Sequence, residues 1–178
     1  MKNDKKAGHT GINTEEIRAA AKNFDHGAVT TGYKGERKEI IALLNQALAT
    51  ELVCILRYKR HYYTAKGLQN TPIRAEFLEN GKEEQAHADL LAERIVQLNG
   101  EPDFDPATLA ERSHAEYNDS GDTQEMITSN LIAERVAIES YRQMIAIIGD
   151  TDPTTRQMLT SIMAQEEEHA DEMRDLLV

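Results

Sequence analysis

The chain has 178 residues, enough for one domain with a real core but hardly for two. Hydrophobic residues make up 40% and aromatics only 5%, and Ala, Leu, Glu, Ile and Arg are prominent, which favours helices over a β-rich fold. A formal charge of −11, from 31 acidic against 20 basic residues, repels nucleic-acid phosphate and excludes DNA binding by the folded body.

Residues 1–12 are polar and are expected to be mobile; Lys2, Lys5 and Lys6 form the only basic cluster. Asn13-Thr14-Glu15-Glu16 reads as a helix start, followed by Ile17 to Ala21, and the stretch Gly27 to Gly35 ends that arm. Four long periodic segments follow. The first runs from Glu36 to Lys66 and stops at Gly67, with Ile40, Leu44, Ala47, Leu48, Leu52 and Ile55 at helical spacing. The second opens with Thr71-Pro72, a cap residue and then Pro at the first helical position, and ends at Asn99-Gly100. The third begins near Asp122-Thr123 and ends at Gly149, and the fourth runs from Asp152-Pro153 to the chain end.

Short connections at Gly67–Asn70 and Asp150–Thr151 make antiparallel hairpins of helices one and two and of helices three and four. Glu101 to Gly121 is a long connection between the two hairpins. The expected organisation is an all-α chain: an N-terminal arm over residues 1–35, partly flexible, and a four-helix bundle over 36–178 with one long crossover. No apolar run approaches the roughly 20 residues a membrane helix needs, and no apolar segment follows the charged N-terminus. The expectation is a cytoplasmic protein without a membrane partner. Cys54 is the sole cysteine, so no intramolecular disulfide and no Cys-built metal cage can form.

Chemistry enters through two matching motifs. The second helix carries Glu84-Gln85-Ala86-His87-Ala88-Asp89 and the fourth carries Glu166-Glu167-Glu168-His169-Ala170-Asp171. Residues three apart share a helix face, so each Glu–His pair can reach one ion. The first and third helices each hold one Glu inside an apolar stripe, Glu51 between Leu48 and Ile55, and Glu134 between Leu131 and Ile138. An ionised Glu is almost never buried without a partner, and a divalent cation supplies one. The lone Glu precedes the motif Glu by 33 residues (84 − 51) in one half and 32 (166 − 134) in the other. Two hairpins related by a pseudo-two-fold axis would thus bring four Glu and two His together. That donor set suits two iron ions, with positions left for oxygen or peroxide.

On these residues the chain resembles the bacterioferritin and Dps-like branch of the ferritin-like superfamily over residues 36–178. The resemblance implies a ferritin-like four-helix bundle and a non-haem di-iron centre. Glu51, Glu84, His87, Glu134, Glu166 and His169 would be the metal ligands. Tyr58, seven residues after Glu51, matches a tyrosine that supports the site, although a core tyrosine is an equal reading. The position of the haem-ligating Met of bacterioferritins is Gln85, so no haem is expected. Nine residues (178 − 169) follow His169, leaving no room for the fifth helix of 24-subunit cages. The resemblance is closest to Dps-like (DpsL) proteins, which place a bacterioferritin-type centre in a homo-oligomeric shell of twelve subunits. Members of that group often carry a Cys pair near the site, whereas Cys54 stands alone.

The implied activity is oxidation of Fe(II) with O2 or H2O2, for iron storage and protection against oxidative stress. Its rivals are a manganese catalase or peroxidase on the same ligands, and a DNA-compacting shell acting through the Lys2/Lys5/Lys6 tail. Among the remaining residues, Cys54 reads as an inert buried thiol one turn after Glu51. Asp89 and Asp171 either hold a neighbouring imidazole or face solvent. Glu83, Glu167 and Glu168 read as solvated, His61, Tyr62 and Tyr63 as closing the first helix at an end or interface, and His114 as a surface residue.

Overall fold

Four long helices carry most of the chain in the computed structural model, which describes residues 11–177. The Lys2/Lys5/Lys6 cluster lies outside the described residues. The chain divides into two units, residues 1–33 and 34–178. The first contains α1 (Thr14–Ala20), whose start is fixed by Asn13: its side chain accepts from the backbone N–H groups of Glu15 and Glu16 at 3.1 and 3.3 Å.

The second unit holds α2 (Arg37–Thr64), α3 (Thr71–Gln97), the short α4 (Leu109–Arg112), α5 (Thr123–Ile148) and α6 (Pro153–Asp175). No strand occurs among the described residues. Ile40, Leu44, Ala47, Leu48 and Ile55 are buried as their spacing predicts, while Leu52 is half-buried. One start differs from expectation. Thr71 is already helical, because a 3-10 turn over Leu68–Asn70 runs directly into α3. Asn70 caps nothing and instead donates back to the Lys66 carbonyl at 2.6 Å and to Thr123 Oγ1 at 3.0 Å, tying the α2–α3 turn to the start of α5.

The hairpins α2–α3 and α5–α6 are antiparallel pairs, and the crossover between them lies along α2. Its rungs are Asn45 with Glu101 and Asp103, Thr50 with His114, Arg57 with the Glu116 carbonyl, and His61 with Asn118. The crossover therefore returns the chain to the far end of α2, and α5 starts there and runs antiparallel to it. Gly81 sits mid-helix in α3 where a Cβ would lie 3.1 Å from Tyr58 Cβ, so its bare backbone lets α3 approach α2 beside that tyrosine.

By length and composition α2 is apolar enough to cross a membrane, contrary to the sequence expectation. It carries Glu51 and Arg57 fully buried, and 56% of its most apolar stretch is inside the protein, so it is the core helix of the bundle. At the opposite end from the α2–α3 turn, Arg94 Nη2 donates to both Asp152 carboxylate oxygens at 2.9 Å and Nε donates to Thr155 Oγ1 at 2.8 Å. Asp152 also caps α6 through the Thr155 N–H. Arg94→Ala removes the guanidinium from a buried carboxylate and should cost about 3–5 kcal/mol, read as a lower urea midpoint at unchanged slope.

Candidate metal centre

One face of each long helix carries charge into the middle of the bundle. Glu51 on α2, Glu84 and His87 on α3, Glu134 on α5, and Glu166 and His169 on α6 are each no more than 1% exposed. The helical spacing of three places each Glu and His of α3 and α6 on one face, and packing turns all these faces to a common centre.

Their donor atoms form two overlapping groups, each within 4.8 Å. One comprises Glu51, Glu84, His87 and Glu166; the other comprises Glu84, Glu134, Glu166 and His169. Glu84 and Glu166 belong to both groups. Glu51 with His87, and Glu134 with His169, close the two ends. His87 Nδ1 lies 3.1 Å from Glu166, 3.4 Å from Glu84 and 3.5 Å from Glu51. His169 Nδ1 lies 3.3 Å from Glu166, 3.9 Å from Glu134 and 4.0 Å from Glu84.

Six of the inward donor atoms lack the hydrogen-bond partners that burial normally demands. Glu51 Oε2, both Glu84 oxygens, His87 Nδ1, Glu134 Oε2 and Glu166 Oε1 have no hydrogen-bond partner. Four carboxylates and two imidazoles fit a pair of divalent ions, whose charge would compensate groups that otherwise repel one another. Burial pushes the Glu84 carboxyl well above the ordinary range, reinforced by Glu166, Glu51 and Glu134. Burial, with Glu166 beside it, raises Glu134 to about 8. Burial opposes charge on His87 and His169 too, but the surrounding carboxylates prevail and raise them to about 11 and about 9. Glu166 is held down at about 2, since the two imidazoles beside it override its burial. Without metal the cluster is thus a proton store.

Tyr58 donates to Glu134 Oε1 at 2.5 Å, across the bundle from its own helix. Sequence reasoning missed its counterpart: Tyr141 on α5 donates to Glu51 Oε1. Tyr141 follows Glu134 by seven residues as Tyr58 follows Glu51, so the internal repeat was the signal that could have found it.

The outer nitrogens of the two histidines also find partners that the sequence did not single out. His169 Nε2 lies 2.6 Å from Glu83 Oε2, and His87 Nε2 lies 3.0 Å from Gln165 Oε1. Glu83 is therefore not merely solvated; it holds an imidazole. Asp89 and Asp171 do not, because two residues of helix carry them off the inner face. Both are exposed, Asp89 bonded to Gln85 and Asp171 paired with Arg174. Glu167 and Glu168 are exposed as expected.

Arg57 was also missed. Fully buried, it donates to Asn130 Oδ1 at 2.7 Å, to the Glu116 carbonyl at 3.2 Å and to Cys54 Sγ at 3.3 Å, and lies 3.9 Å from Glu134 Oε1. Cys54 is buried, and burial pushes its thiol far above the ordinary range, as befits an inert thiol. His61 is completely buried between Asn130 and Asn118, while Tyr63 is exposed. His114 is exposed yet bonded to Thr50.

A family profile described as "Ferritin-like domain" matches residues 41–178. The chain belongs to the ferritin-like family. It is 29% identical over 130 residues to a nutrient stress-induced DNA-binding protein of Synechococcus sp., covering 71% of this chain and 74% of that one. It is 28% identical over 144 residues to a bacterioferritin of Rhodobacter capsulatus, covering 78% and 81%. Among solved structures, a bacterioferritin-related protein of Bacteroides fragilis, described as a dodecameric thioferritin, superposes with a TM-score of 0.77 at 32% identity, covering 81% of this chain and 87% of that one. The up-down-down-up order of α2, α3, α5 and α6 is thus the ferritin-like bundle.

Proposed function

We propose that this ferritin-like chain is a ferroxidase that holds two iron ions and oxidises Fe(II) with O2 or H2O2. The observation that carries the reading is the convergence of orphaned, buried donor atoms into two overlapping groups. Glu51 and His87 would serve one ion, Glu134 and His169 the other, and Glu84 and Glu166 both. When bound, the two ions supply two electrons to one oxidant, which avoids releasing a hydroxyl radical. The chain's own residues fix the geometry: Tyr141 and Tyr58 hold Glu51 and Glu134 in place, and Gln165 and Glu83 orient the imidazoles. Burial of the site keeps bulk water from competing for the donors.

The ferric product would hydrolyse inside an acidic homo-oligomeric shell in the cytoplasm. The −11 charge supports that reading, as does the likeness to a protein described as dodecameric. Gln85 is exposed and bonded to Asp89, which offers a haem no ligand. The test follows ferric absorbance after Fe(II) is added to metal-free protein, beside a Glu84→Ala/Glu166→Ala variant. The native chain should oxidise iron at least 100-fold faster than the variant, because the two carboxylates shared by both donor groups are gone. Equal, slow oxidation in both would sink the reading and bring manganese-dependent peroxide chemistry forward.

A further inference from the structure

The inner donors of the two ends match one for one, but their outer supports do not. Each imidazole turns Nδ1 inward and Nε2 outward. A ligating Nδ1 must be free of its proton, so the ring proton sits on Nε2 and is donated outward. On His169 the acceptor is the Glu83 carboxylate at 2.6 Å; on His87 it is the Gln165 amide oxygen at 3.0 Å. Glu83 is half-buried and Gln165 exposed, so water also competes harder for the second bond. A hydrogen bond to a carboxylate is shorter and roughly twice as strong as one to a neutral amide. It leaves more electron density on the inner nitrogen and strengthens that ligand.

We propose that Glu83 and Gln165 make the two metal positions unequal, so that the His169 position fills first and holds a divalent ion more tightly. The inference rests on the two-metal reading above. Glu83 and Gln165 occupy equivalent places, each immediately before the Glu of its motif and 82 residues apart (165 − 83), so the carboxylate–amide difference is a true break in the pseudo-symmetry. Arg57 acts in the opposite sense, since its charge lies 3.9 Å from Glu134 Oε1. Its guanidinium bonds to Asn130, the Glu116 carbonyl and Cys54 rather than to Glu134, whereas Glu83 bonds directly to the ligand ring. The outer bond therefore prevails and sets the order in which the two positions fill.

Calorimetric and absorbance titration of the metal-free protein with Co(II) tests this. The native chain should bind two ions in steps separated by roughly 10–100-fold in affinity. Glu83→Gln should weaken the tighter step about 10-fold and leave the weaker one in place, and Gln165→Glu should tighten only the weaker one. His169→Ala should abolish the tight step and His87→Ala the loose one, which assigns each to its end. A merely structural role for Glu83 would lower both steps together and would overturn the proposal. Two equal steps, unmoved by Glu83→Gln, would also overturn it while leaving the two-metal reading intact. No Co(II) uptake at all would overturn both.

Discussion

Metal-free protein should lose thermal stability as pH rises from about 5 to 9, and Co(II) in excess over its two sites should restore it. The sign follows from the protons stored in the cluster. The carboxyls of Glu84 and Glu134 and the imidazoles of His87 and His169 all have raised values in the folded chain, Glu134 about 8 and His169 about 9. A raised group stabilises the fold fully below its unfolded value, and that contribution is lost as pH rises through the folded value. Glu166 works the other way, but its depressed value of about 2 puts its loss at strongly acid pH. His61 and His114, lowered by burial, also work the other way, but only below the ordinary imidazole value of 6.5, so the loss dominates above it. Divalent ions replace the protons, so binding should release them and reverse the loss. At 100 times the dissociation constant each site adds about 2.7 kcal/mol, and two sites should raise Tm by roughly 10–20 °C. Scanning calorimetry at pH 6 and 9, with and without Co(II), checks this. A Tm independent of both pH and metal would contradict it.

The second large effect is structural. Arg57→Ala should destabilise the fold by about 3–5 kcal/mol, because it strands partners on three elements at once, Asn130 and Cys54 among them buried. Asn130 on α5, the Glu116 carbonyl in the crossover and Cys54 on α2 each lose a bond. Asn130 in turn steadies His61, which reaches Asn118 in the crossover. Arg57→Met fills more of the space but still leaves those groups unsatisfied, so it should recover only the packing part of the loss. Thermal melts of the two variants measure it; a shift under 2 °C in Arg57→Ala would show that the network contributes little.

The six buried donors were legible because each violates the pattern around it. Glu51 and Glu134 interrupt apolar stripes, and the two Glu-x-x-His motifs repeat at the same interval. The helices were legible for the ordinary reason that period 3.6 persists over more than twenty residues with Gly, Pro or Asn at the ends. The supporting residues were harder. Tyr141 and Gln165 obey the same repeat as Tyr58 and Glu83, offset by 83 (141 − 58) and 82 (165 − 83), so extending the repeat beyond the ligands would have reached them. Arg57 gave no such signal: the residue 83 further on is Ser140, and an Arg flanked by Tyr58, Lys59 and Arg60 reads as a solvated helix face. Only packing against the crossover buries it, and a crossover without periodicity does not announce where it lies. Asn70 escaped because its bonds run back to the Lys66 carbonyl and across to Thr123 on α5, and the second of these is invisible in the local sequence.

Crystals equilibrated anaerobically with Fe(II) and measured at the iron absorption edge test the central claim most directly. The account predicts two anomalous peaks in the bundle, one bounded by Glu51 and His87, the other by Glu134 and His169, with Glu84 and Glu166 reaching both. No peak inside the bundle, or iron only among surface carboxylates, would contradict it.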